Sequence, residues 1–181
     1  MRGLVLTTLM CALPGCGLGG DGDDNGGGGN GDGNGGQDSG CSSHRECGDL
    51  EFCNDGSCDE VAGRKFFVSA DAGTAVTDGD WDVGGGAPDP YVSIFMDGDL
   101  ECYTSTDDDT FAPRWGEGCA VVFEAGGELE LDMYDEDTTS NDIMLTFVAS
   151  GTDELVSLVR DESFTLSNDY ASLDISVTPE F

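Results

Sequence analysis

Two runs of alternating residues constrain the fold more than anything else in the chain. Leu129, Leu131 and Met133 alternate with Glu128, Glu130 and Asp132, and Leu173, Ile175 and Val177 alternate with Ser172, Asp174 and Ser176. A period of two puts apolar side chains on one face of an extended strand and polar ones on the other, so each run needs a second layer over its apolar face. Short apolar runs recur at residues 66–70, 91–95, 119–123 and 143–150, separated by turns that carry Gly, Asp and Pro, while no long helical apolar pattern appears. Residues 64–181 are therefore expected to form an all-β domain, an eight-stranded antiparallel β-sandwich, which 118 residues suffice to close.

What precedes the sandwich has a different character. Residues 1–15, MRGLVLTTLMCALPG, place one arginine before a short apolar run and then small residues, the layout of an export signal. The run is shorter than the roughly 18 to 20 apolar residues of a membrane span. Leu13-Pro14-Gly15-Cys16 resembles the bacterial lipobox. That resemblance implies cleavage before Cys16, a lipid on its thiol and, with Gly17 following, anchoring at the outer membrane. Residues 16–40 hold the lipidated Cys16 and then 24 residues, 13 of them glycine, too poor in core formers to repay the entropy of ordering. They read as a disordered, flexible tether. Asp21, Asp23, Asn25, Gly26 and Asp32 match parts of an EF-hand loop, but the helices that would hold such a loop are absent from the sequence pattern.

Residues 41–63 contain Cys41, Cys47, Cys53 and Cys58. In an exported chain an even, dense set of this kind is a two-disulfide staple, with three pairings open and a rigid spacer as its simplest role. Zinc would need closer cysteine pairs, and His44 is the only histidine of the chain. Cys102 and Cys119 flank one long loop and are expected to pair across the neighbouring strands it connects.

Charge removes whole classes of function. With 38 acidic and 6 basic residues the formal net charge is −32, which excludes a nucleic-acid binder that works by neutralising phosphates. Three acidic clusters punctuate the sandwich, beginning at Asp78, Ser105 and Tyr134. Asp89-Pro90-Tyr91-Val92, then Pro113-Arg114-Trp115-Gly116-Glu117, then Asp135-Glu136-Asp137 with Asp142 five residues on, resemble the C2 domain in order and spacing across nearly all of residues 64–181. The first loop departs from the pattern by being a residue longer than the commonest form and rich in glycine.

The resemblance implies a calcium site made of Asp82 and Asp89 from the first loop and Asp135, Asp137 and Asp142 from the third, with Asp80 as an alternative to Asp82. Calcium is a hard cation that takes six to eight oxygens, which carboxylates and carbonyls of two loops can supply without histidine or thiolate. Asp107, Asp108 and Asp109 of the second loop read as a solvated charge run. By the same resemblance Trp115 is a packing residue. Trp81 is either a ring covering the base of the first loop or a membrane-inserting tip.

The expected function follows from these parts. The chain reads as a membrane-anchored lipoprotein whose calcium-loaded domain binds a phospholipid headgroup, a surface protein or a polysaccharide. The alternative is a calcium-stiffened structural or adhesion module. Arg64, Lys65, Arg114 and Arg160 face 27 acidic residues in the domain, so a polybasic lipid-docking mode is excluded. No catalytic role is expected, because the chain has no Gly-x-Ser-x-Gly elbow, no reactive cysteine setting and no histidine within the sandwich to serve as base.

Overall fold

The computed structural model describes residues 40–79, 81, 86–137 and 141–180. The signal segment, Cys16, the glycine-rich tether with its EF-hand-like spacing, Asp80 and Asp82 lie outside the described residues.

After a single 3-10 turn at His44–Glu46, a hairpin of β1 (Glu51–Asn54) and β2 (Ser57–Glu60) precedes eight further strands. These are β3 (Arg64–Ala75), β4 (Pro90–Met96), β5 (Asp99–Tyr103), β6 (Arg114–Phe123), β7 (Glu128–Asp135), β8 (Asp142–Ser150), β9 (Ser163–Ser167) and β10 (Ala171–Pro179), with one helix, α1 (Thr152–Asp161), between β8 and β9. The eight build two antiparallel sheets, ordered β6-β3-β10-β9 and β5-β4-β7-β8, as the alternation predicts.

The alternating residues face each other between the sheets. Leu129, Leu131 and Met133 of β7, with Val92 and Ile94 of β4, meet Phe66 and Val68 of β3 and Leu173, Ile175 and Val177 of β10, none more than 1% exposed. Burying a side chain of this size contributes about 1.5 to 3 kcal/mol. Close packing also dictates Gly118 on β6: a Cβ there would lie 1.9 Å from the carbonyl oxygen of Val68, beside the irregularity in the β3–β6 register.

Cys102 and Cys119 do pair, with sulfurs 2.04 Å apart. Their strands, β5 and β6, are consecutive in the chain but are edges of opposite sheets, so the bond ties the two layers together rather than two strands of one ladder. The opposite edges, β8 and β9, meet through Phe147 and Phe164, whose ring centroids are 5.9 Å apart.

Helix α1 is the element that sequence reading misses. Leu155, Val156, Leu158 and Val159 recur at helical spacing and are buried, Gly151 at the N-cap takes φ +88°, and the Glu154 carboxylate accepts the Ser150 N–H at 2.7 Å. Ten residues are too few to be a stable helix alone, so the packed face holds it in place.

The cysteine-rich segment is docked onto the sandwich rather than standing off as a spacer. The bonds are Cys41–Cys53 and Cys47–Cys58, and Cys53 and Cys58 sit opposite each other in the hairpin. Phe52 and Val61 are 2% and 0% exposed and belong to the core of the sandwich, with the Phe52 ring 5.3 Å from that of Phe66. Arg160 at the end of α1 donates to the carbonyls of Gly48 and Glu51, and His44 stands 3.3 Å from the Glu162 carboxylate. Three of these sulfurs lie within 4.8 Å of one another, but as disulfides they offer no thiolate to a metal.

Candidate metal centre

Four connections leave the sandwich at the end remote from α1 and the hairpin: loop 1 (residues 76–89), loop 2 (residues 104–113), loop 3 (residues 136–141) and the short β9–β10 turn (residues 168–170). Strand ends position the acidic residues. Asp89 is the last residue before β4, Asp135 ends β7 and Asp142 begins β8. Pairing of β4 with β7 sets Pro90 opposite Asp135, and pairing of β7 with β8 sets Asp135 opposite Asp142.

Asp89 and Asp135 are in direct contact: the Asp89 N–H donates to Asp135 Oδ1 at 2.7 Å, and the Glu136 N–H returns to the Asp89 carbonyl at 3.0 Å. Asp135 is fully buried at the base of the loops, because period two along β7 turns it inward with Leu131 and Met133. Asp137 is half-buried, and its N–H donates to the Asn141 amide oxygen at 3.3 Å across loop 3. Asp142 is exposed and lines a cleft of about 290 Å³ with Trp81, Ile143 and Tyr170. Four of the five expected ligands are thus set at or within one residue or two of the ends of β4, β7 and β8, and the fifth, Asp82, lies outside the described residues. Among the described residues no three carboxylates bring oxygens within 4.8 Å of one another.

Loop 2 takes a larger part than its charge run suggests. The Asp109 N–H, on a residue with φ +52°, donates to Asp89 Oδ1 at 2.6 Å. The half-buried Asp107 carboxylate accepts the Arg114 N–H at 3.0 Å, and Thr106 donates to Glu136 of loop 3 at 2.5 Å. Loop 2 therefore clamps the other two loops through its backbone and hydroxyls. Ser105 holds Glu117 at the mouth of β6 through its N–H and hydroxyl, and these bonds keep the Glu117 carboxyl below its usual range. The Asp-Asp-Asp run was the only sequence signal of this clamp.

Both tryptophans settle into packing. The Trp81 indole N–H donates to the Val76 carbonyl at 2.8 Å, and its half-buried ring lies against Gly79 and the core. Trp81 thus covers the base of loop 1. Trp115 is half-buried against the same core.

The donor set is hard throughout: carboxylates and main-chain oxygens, with no imidazole or thiolate at this end among the described residues. It fits an oxygen-seeking divalent cation, and Asp89, Asp135, Asp137 and Asp142, with Asp82, are the residues that would hold calcium. Among the described residues Arg64 pairs with Asp59, and His44 stands beside Glu162, so both contacts involve the hairpin segment.

The C2 domain family profile matches residues 73–166, just over half of the chain. This chain belongs to the C2 domain family. Solved structures agree in fold. Human GIVD cytosolic phospholipase A2, solved with methyl gamma-linolenyl fluorophosphonate and terbium chloride, aligns at a TM-score of 0.54 and 24% identity over 65% of this chain and 17% of that one. The calcium-bound pair of C2 domains of extended-synaptotagmin 2 aligns at 0.53 and 18% identity over 65% of this chain and 46% of that one. The aligned region spans less than half of each of those proteins. No curated protein sequence matches. In this C2 domain the match runs from Gly73 near the end of β3 to Leu166 in β9, so all three loops lie inside it, while the disulfide hairpin precedes it.

Proposed function

We propose that this protein is an exported lipoprotein, anchored through Cys16 at the bacterial outer membrane, whose C2 domain binds calcium. The ligands are Asp82, Asp89, Asp135, Asp137 and Asp142, and the bound ion bridges to a phospholipid phosphate, another anionic group or an acidic protein surface. One observation carries the calcium reading. The Asp89 main chain is bonded to the buried Asp135 carboxylate across two loops, so two of the proposed ligands meet at the base of the loops. Carboxylates gathered at one end of the fold repel one another, and a divalent cation among them would reverse the sign of that interaction.

The partner follows from the charge. Four basic residues against 27 acidic ones in residues 64–181 leave no polybasic face, so any capture of an anionic surface rests on the bridging ion alone. The chain is read as non-catalytic. Thermal unfolding in millimolar calcium, against chelator, tests the site. The unfolding midpoint rises with calcium in the wild type, and replacing Asp135 and Asp137 by Asn removes the rise; no rise, or an undiminished one in the variant, defeats the reading. Sedimentation with anionic vesicles, with and without chelator, separates a bridging role from a second reading. In that reading calcium only stiffens a structural module, which the loop-2 clamp favours because it already ties the loops to one another.

A further inference from the structure

A second concave site lies beside the loops, on the outer face of the sheet β5-β4-β7-β8. It encloses about 400 Å³, within the roughly 300 to 1,000 Å³ of sites that take small molecules. Its floor is set by strand register: Ser93 of β4 is opposite Tyr103 of β5, and Tyr91 of β4 is opposite Tyr134 of β7. Loop 2 and loop 3 close one end with Thr106, Glu136 and Asn141, and Leu100 marks the open edge.

The lining selects a chemistry. Six of its nine residues carry a hydroxyl and none is basic, while the one acid, Glu136, is turned to Thr106. An anion would meet a carboxylate and no cation, and a purely apolar ligand would strip water from the hydroxyls without replacing their hydrogen bonds. Tyr103 is 69% and Leu100 is 53% exposed, an aromatic and aliphatic surface open at the edge of the sheet. Ser93 is only 6% exposed, yet its hydroxyl bonds to no other described residue and lines the cavity. The Tyr91 ring is fixed before any ligand arrives, stacked on Tyr134 at 5.2 Å and 19° and holding the Asn141 amide on its hydroxyl at 2.7 Å.

We propose that this groove binds a neutral saccharide, with a pyranose ring laid on Tyr103 and its hydroxyls exchanging hydrogen bonds with Ser93, Asn141 and Glu136. A sugar ring combines a C–H face suited to an aromatic ring with a rim of donors and acceptors, and it carries no charge for Glu136 to repel. The groove uses none of the proposed calcium ligands, so its hydrogen bonds to the sugar do not run through the ion.

The full-length protein, tested on immobilised neutral cello-, malto-, xylo- and chito-oligosaccharides beside polyuronates, decides the matter. Calorimetry then follows with the retained trisaccharide in calcium and in chelator. At least one neutral series is retained and polyuronates are not. Tyr103→Ala weakens binding about tenfold or more and Ser93→Ala about threefold, a factor of ten being about 1.4 kcal/mol. Both variants keep the wild-type unfolding midpoint. The proposal is overturned if no neutral oligosaccharide is retained, if only polyuronates are, or if Tyr103→Ala binds as well as wild type. Loss of binding in chelator also overturns it, since the sugar would then sit on the ion. So does capture of extended peptides in its place, which would assign the β5 edge to strand pairing.

Discussion

The two ends of the sandwich solve opposite problems. At one end α1, the disulfide hairpin and the last turns close the core with Phe52, Val61, Leu155 and Val159, and the ion pairs among the described residues, together with the Arg160 bonds to Gly48 and Glu51, involve the segments packed there. At the other end Asp89, Asp135, Asp137 and Asp142 gather at strand ends, and the loops are tied by main-chain N–H groups and hydroxyls. The first end gains its stability from burial and covalent staples, which need no ligand. The second gathers acidic residues, which under the proposed calcium reading costs stability until a cation binds.

Four substitutions or additions would break or sharpen this contrast. The largest effect is expected from Phe52→Ala, which removes a ring shared by the hairpin and the core and lowers stability by about 3 to 5 kcal/mol in urea unfolding. A loss under about 1 kcal/mol would mean that the hairpin is not part of the folding unit. Calcium acts on the other end: at a hundred times its dissociation constant it adds about 2.7 kcal/mol. Hydrogen exchange should slow at residues 104–110 and 135–137 and stay unchanged at residues 51–60, and uniform protection across both ends would erase the proposed division.

Arg160→Ala is expected to cost about 2 kcal/mol, because the carbonyls of Gly48 and Glu51 lose a charged donor. Replacement by Lys should restore only part of this, since one ammonium cannot span both carbonyls as the guanidinium does. The smallest effect belongs to Glu117→Gln. Bonds from Ser105 depress the folded-state acidity constant of Glu117 below the usual 4.5, so its contribution is present above that value and is lost as pH falls through the depressed one. The variant should be slightly less stable than the wild type at pH 7, and that difference should vanish as pH falls below about 4.5. Glu130 has the opposite sign: burial and the neighbouring Asp132 raise it, so its contribution is present below 4.5 and fades as pH rises.

Much of the fold could be read in advance because period two admits one interpretation wherever five or more residues keep it. β7 and β10 kept it and were visible as strands with the correct inward faces. The five-residue strands β5 and β9 were not, since neither has a fully buried residue and so neither carries a strong apolar pattern. Helix α1 escaped because Leu155, Val156, Leu158 and Val159 span barely more than one turn, and only the sandwich beneath them favours a helix. The five acidic positions were named from the C2 resemblance, and Asp89, Asp135 and Asp142 among them stand at or beside the ends of strands. The contribution of Asp107 and Asp109 did not stand out, because main-chain donors leave no trace in residue identity.

The amino-acid sequence by itself determined most strands of the sandwich, which face of β7 and β10 is buried, that the acids cluster at turns, and that the cysteines are enough for three bonds. Local chemistry suffices for these, since alternation, turn residues and composition act over a few neighbours. Only the tertiary structure decided how Cys41, Cys47, Cys53 and Cys58 pair, that Cys102–Cys119 joins two sheets rather than two adjacent strands, that the hairpin is built into the core, and that Tyr91, Ser93 and Tyr103 line a shared groove. Each of these depends on residues distant in the chain meeting across a register or an interface. Such a meeting is set by the packing of the whole molecule, and no short stretch of sequence contains it.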